Sequence, residues 1–203
     1  MYGKSLERMS RDARIAIEMV AGAVEAERAA AYRRADFMVR HSVRREKQSL
    51  ESIRAFATEG GPARKVVEAT AGQLPTEAAA AERLAATYTA LFGHQPPPIV
   101  PTARERELAG KVPVMAGTVK DFMAARSKLR RPEGLHGLMA YEVLNYIDGT
   151  NSYLDIYQAV ATEAEVAGEW YYGTVTLDDV AAYLDSAAGA GMTTVTPGAG
   201  RRE

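Results

Sequence analysis

The sequence predicts a mainly α protein: a long N-terminal helix or helical hairpin, followed by a small C-terminal winged-helix-like α/β domain. Three observations carry this reading. Ser10 to Thr58 holds apolar residues at three- and four-residue spacing, with no proline and one glycine, Gly22. That is the pattern of an amphipathic helix. Gly93-His94-Gln95-Pro96-Pro97-Pro98 then interrupts every helical pattern. Beyond it, three short helical patterns lead into Met192 to Thr196, where threonine and valine favour a short strand.

The elements follow in order. In the first stretch Ile17, Val20, Val24, Ala31, Phe37, Met38, Val43, Leu50, Ile53 and Phe56 form the apolar side. Arg33, Arg34, Arg40, Arg44, Arg45 and Lys47 form a basic one. One continuous helix and two helices joined end to end both fit. Glu59-Gly60-Gly61-Pro62 ends it, because glycine takes the left-handed cap and proline cannot continue the ladder. A second helix is expected over Ala63 to Ala71. A third, capped by Thr76 after Pro75, runs to about Phe92. Residues 1–92 form the helical domain on this reading. Three successive prolines favour a stiff polyproline II link, so 93–134 reads as a connector with a basic short helix near Phe122, Met123 and Leu129. Residues 135–196 form the winged-helix-like domain. Leu138, Tyr141, Leu144 and Ile147 share a helix face there, and Asp148-Gly149 turns the chain. Ser152 with Asp155, and Thr176 with Asp179, are capping-box pairs that start the next two helices. Tyr171 to Val175 is the expected strand partner of Met192 to Thr196. The tail, 197–203, is expected to be disordered.

Charge narrows the functional classes. Residues 1–131 hold 23 of the 25 basic residues and 15 of the 26 acids, a net +8. From Pro132 to Gly200 there are ten acids and no lysine or arginine, a net −10. Phosphate contacts from lysine and arginine supply most of the affinity for duplex DNA. An isolated acidic domain of this kind would be repelled, so no nucleic-acid partner is expected. The oppositely charged parts would attract each other, within the roughly 8–10 Å over which salt leaves exposed charges unscreened. On the basic side of the first helix Glu25, Glu27, Asp36, Glu46 and Glu51 are interleaved, the usual pattern of a solvated helix laced with ion pairs.

No complete catalytic signature is present. The chain has no cysteine, which removes disulfides, thiolate chemistry and cysteine-held metals. His41, His94 and His136 are the three histidines and none forms a ligand pair at helical spacing. There is no Gly-x-Ser-x-Gly and no glycine-rich phosphate loop. The expectation is therefore a non-enzyme with no cofactor and no metal. No run of about 18 apolar residues could span a membrane. Met1 to Arg14 lacks the apolar core of a secretory signal, which fits a cytoplasmic chain as it stands, or an exported one if it is part of a larger secreted peptidase.

Aromatic residues are dense beyond residue 140. Tyrosine and tryptophan bury large areas while keeping a polar handle, and are enriched at interfaces. Tyr141 and Tyr183 read as core. Trp170, Tyr171 and Tyr172, in an expected loop, read as partner-binding, together with Tyr153, Tyr157 and the helix cations Arg40 and Arg44. A ~50-residue amphipathic helix is also longer than a small domain usually buries alone. A protein partner, or a homo-oligomer, is the class these features favour.

One resemblance points the same way. Tyr141-Glu142-Val143-Leu144-Asn145-Tyr146-Ile147-Asp148-Gly149, then Ser152, Asp155-Ile156, Val175-Thr176-Leu177-Asp178-Asp179-Val180 and Tyr183-Leu184, resembles a small module at the C-terminus of some bacterial zinc-dependent M28-type aminopeptidases. Ala35-Asp36-Phe37 through Arg54 is similar to the helical segment before that module. In that family two zinc ions are held by an upstream α/β domain that this sequence does not contain. The resemblance therefore implies an accessory region and carries over no metal ligand and no catalytic residue. The Ile147-Asp148-Gly149 turn is also similar to winged-helix peptide-binding modules of peptide-modification systems, where a peptide adds a strand to the wing sheet.

Overall fold

A computed structural model describes residues 2–198, apart from the side chains of residues 2, 119, 169 and 170. It is mainly helical. The chain divides into two compact units, Met1–Ile99 and Val100–Glu203.

The N-terminal unit is a helical hairpin with two further helices packed on it. Helix α1, Tyr2–Gly22, ends at the glycine, and a 3-10 turn, Glu25–Glu27, leads into α2, Arg28–Phe56. Of the two readings of the long amphipathic stretch, the folded-back one holds. Contacts of Arg8 with Glu46 and of Asp12 with Ser42 show that α1 and α2 run antiparallel. Much of the apolar side of the long stretch is thus covered within the unit, with Val20, Ala31, Met38, Val43 and Leu50 buried. Val24, Ile53 and Phe56 remain exposed, Phe56 by 93%. Helix α3, Pro62–Gln73, follows, and α4, Glu77–Phe92, also packs on α2. The Thr76 hydroxyl accepts the Ala79 amide, and Gly93 closes α4 in the left-handed conformation, φ 75°.

The hairpin is pinned by buried charge. Asp12 and Glu46 are both buried. Ser42 Oγ and Arg45 Nη2 each donate to Asp12 Oδ2 at 2.7 Å. Arg8 Nε donates to Glu46 Oε1 at 2.7 Å. Burial acts most strongly on the Glu46 carboxyl and pushes its pKa upward. Hydrogen bonds from Arg8 and Ser5, with the charges of Arg8 and Arg45, outweigh it and hold the group below the ordinary glutamate range.

The C-terminal unit begins well before residue 135, and this corrects the connector reading. Thr102 and Glu105 form a capping box that starts α5, Ala103–Ala109, and β1 covers Lys111–Met115. Thr118 and Asp121 form another at α6, Val119–Arg126. Leu108 of α5 is fully buried in the same core as Val143, Ile156, Val160, Val180 and Leu184. Helix α7, Gly137–Asn145, then α8, Tyr153–Ala167, the short α9, Glu169–Tyr172, and α10, Leu177–Gly189, complete the layer. Strand β2, Thr193–Pro197, pairs antiparallel with β1 from Lys111↔Pro197 to Met115↔Thr193. The expected partner, Tyr171 to Val175, is instead the end of α9 and a loop. Pro197 belongs to the sheet and the Gly198 amide donates to Gly110 O at 2.8 Å, so this part of the tail is ordered by the strand. The rest of the tail, 199–203, lies outside the described residues.

This division redistributes the charge. Residues 1–99 carry 15 basic and 12 acidic side chains, and residues 100–203 carry 10 and 14. The all-acid stretch shares its unit with eight basic side chains from 100–131. Net −4 still opposes a polyanion, but the unit is not the cation-free body the sequence suggested.

Candidate functional site

Several exposed apolar side chains of the C-terminal unit gather around the start of α7. His136 is the α7 N-cap, its Nδ1 accepting the Leu138 amide at 3.2 Å. After α8, Gly168 (φ 120°) and Gly173 (φ 69°) bracket α9 in conformations that L side chains rarely adopt. They turn the α9 rings back onto His136. Its ring lies 5.5 Å from that of Tyr171 and 5.4 Å from that of Tyr172, and the two tyrosines meet edge-on at 4.8 Å. Tyr171 is 53% exposed, while Tyr172 packs partly on the core. Leu138 and Tyr141, one turn apart on α7, are 50% and 55% exposed. Together these residues make an aromatic-apolar patch with a histidine at its centre.

The expected site residues therefore separate. Tyr171 is a surface residue and Tyr172 half-buried. Trp170 lies outside the described side chains. Tyr157 packs against the core, partly buried. Tyr153 is a correction: it is fully buried, and its hydroxyl donates to Asp185 Oδ1 at 3.2 Å. Burial, then the Asp185 charge and hydrogen bond, push its phenol well above the ordinary tyrosine range. A residue so placed cannot touch a partner while the unit is folded. Tyr141 is the converse correction. The side of α7 turned inward carries Met139, Ala140 and Val143 rather than Leu138 and Tyr141. Tyr183 is core, as expected.

Arg40 and Arg44 each hold an acid within the N-terminal unit. Arg40 Nε donates to Asp36 Oδ2 at 2.8 Å, one turn away on α2. Arg44 reaches across to α4, with Nη2 and Nε donating to the two oxygens of Glu77 at 2.8 and 3.2 Å. Both pairs fit the ion-paired pattern expected of α2.

A second cluster, Lys128, Arg130 and Arg131, gathers beside Ser186, Gly189 and Ala190 at the end of α10. The Arg130 amide donates to Ser186 Oγ at 2.8 Å, and the Arg131 guanidinium donates to Leu135 O. Helix α10 has no basic residue in its own last turn. These cations complement its exposed carbonyl end, which gives the cluster a structural role. Among the described residues, no group of three or more His, Asp or Glu side chains could hold a metal. No described helix is long and apolar enough to cross a membrane. Comparison of the chain with family models, curated proteins and solved structures returned no match.

Proposed function

We propose that this chain is a non-catalytic accessory or assembly protein that binds a partner protein, or another copy of itself, through the patch around His136. The observation that carries the reading is the company of Leu138, Tyr141 and Tyr171. Three large side chains, each about half exposed, border one capped helix end. Rigid amphipathic rings of this kind are the side chains that anchor protein interfaces. The resemblance to the M28 accessory region supports the same class of role, with a peptidase-associated subunit as its particular form. Peptidase activity of the isolated chain would contradict it.

A second reading, a winged-helix-like peptide-binding module, is favoured by the sheet. Among the described residues it has two strands only, and Met115 and Val195 are exposed on it. A peptide could add to such an edge. The variants Leu138→Lys with Tyr141→Lys discriminate. They abolish association if the α7 patch is the interface and leave it intact if the sheet edge is.

A further inference from the structure

A different place, in the N-terminal unit, has the makings of a ligand site. Helices α1 and α4 both pack on α2, and between them lies a cleft of about 180 Å³. Its walls are apolar: Met9, Ala13 and Ile17 of α1 on one side, Leu84 of α4 on the other, Val39 and Val43 of α2 as the floor. The α1 residues recur at helical spacing and stay only partly buried, so α1 carries a wider apolar stripe than α2 covers. An apolar cavity of similar size, about 150 Å³, holds a benzene-sized molecule and stays dry without one.

The polar groups on the cleft are few and of one kind. Arg83 and Thr87 lie on the α4 wall, Ser10 on α1 and Ser42 on α2. No acidic side chain lines the space. Ser42 is already committed as a donor to Asp12. Arg83 is exposed, and among the described residues no carboxylate pairs with it. In contrast, Arg8, Arg14, Arg40, Arg44 and Arg45 of the same unit each hold an acid. A guanidinium without a counter-charge beside a small apolar cleft is complementary to a carboxylate bearing a compact hydrocarbon body.

We propose that this cleft binds a small monocarboxylate of about six to eight carbons, aliphatic or aromatic. The body sits among Met9, Ala13, Ile17 and Leu84, and the carboxylate meets the Arg83 guanidinium, since the Thr87 hydroxyl already donates to Arg83 O at 2.9 Å. The test is a titration of the full chain with hexanoate and with its neutral match, hexanamide, followed by amide NMR shifts or calorimetry. The expected result is saturable hexanoate binding with a Kd on the order of a millimolar or tighter. Hexanamide should bind about tenfold more weakly. Arg83→Gln should bring hexanoate down to the hexanamide level and leave hexanamide unchanged. Ala13→Phe, which fills the cleft, should weaken both. Equal binding of acid and amide, indifference to Arg83→Gln, or no saturable binding of hexanoate would each overturn the proposal. So would binding only of longer peptides ending in an apolar residue, since the cleft would then be a partner's anchor.

Discussion

Replacing Asp12 with alanine tests how the hairpin is held. Asp12 is fully buried and accepts from Ser42 Oγ and Arg45 Nη2, both at 2.7 Å, and from Arg11 at 3.2 Å. Removing its carboxylate strands a buried hydroxyl and takes one acid from Arg45, whose side chain is 18% exposed and which still has Glu46 Oε1 at 3.5 Å. Breaking a buried ion pair by deleting one member costs about 3–5 kcal/mol. The remaining Glu46 contact and the residual exposure of Arg45 recover part of that, which places Asp12→Ala at about 3 kcal/mol. Asp12→Asn keeps one acceptor and the shape, and should cost about 2 kcal/mol. Against a domain stability of about 5–15 kcal/mol the alanine variant stays folded but unfolds at clearly lower denaturant. Urea unfolding followed by far-UV circular dichroism measures this. The fluorescence of Trp170, the single tryptophan, assigns the transition of the C-terminal unit. A loss below about 1 kcal/mol for Asp12→Ala would refute the claim that this buried carboxylate organises the α1–α2 contact.

Other outcomes follow from the same geometry. Glu46 is held below the ordinary glutamate range, so its contribution is fully present above the unfolded value and fades as pH falls through the lowered one. Glu46→Gln should therefore destabilise by about 2–4 kcal/mol at neutral pH and flatten the loss of stability as pH falls through and below the ordinary glutamate range. Thermal melts across that range check both. Tyr153→Phe should cost about 1 kcal/mol through the lost Asp185 bond. Tyr153→Ala should cost about 3–5 kcal/mol through the cavity it opens. A Tyr153→Phe variant of unchanged stability but impaired association would restore that residue to the interface.

Local signals in the sequence were strong where a single cap decides an element. Thr76, Ser152 with Asp155, and Thr176 with Asp179 all start the helices expected of them, because the hydroxyl satisfies amides that no helix can satisfy internally. The same signal stands at Thr102-x-x-Glu105 and Thr118-x-x-Asp121, just beyond three prolines that break every local helical pattern. The β1–β2 pairing joins residues some 80 positions apart, and no local pattern announces so distant a partner. Pro113 within β1 disguised the strand further. The phase of α7 is ambiguous in the sequence because Gly137–Asn145 is apolar at most positions. Stripes through Leu138 and Tyr141 or through Met139 and Val143 satisfy the helical period equally, and only the tertiary core chooses. That choice places Tyr141 at the surface.

The most direct measurement of the central claim is the mass of the chain in solution, alone and with its copurifying proteins, by size-exclusion chromatography with light scattering. The wild type should run as an oligomer or a stable complex, and Leu138→Lys with Tyr141→Lys should release a folded monomer. A wild-type chain that is cleanly monomeric and holds no partner, or an assembly indifferent to those two substitutions, would contradict the account.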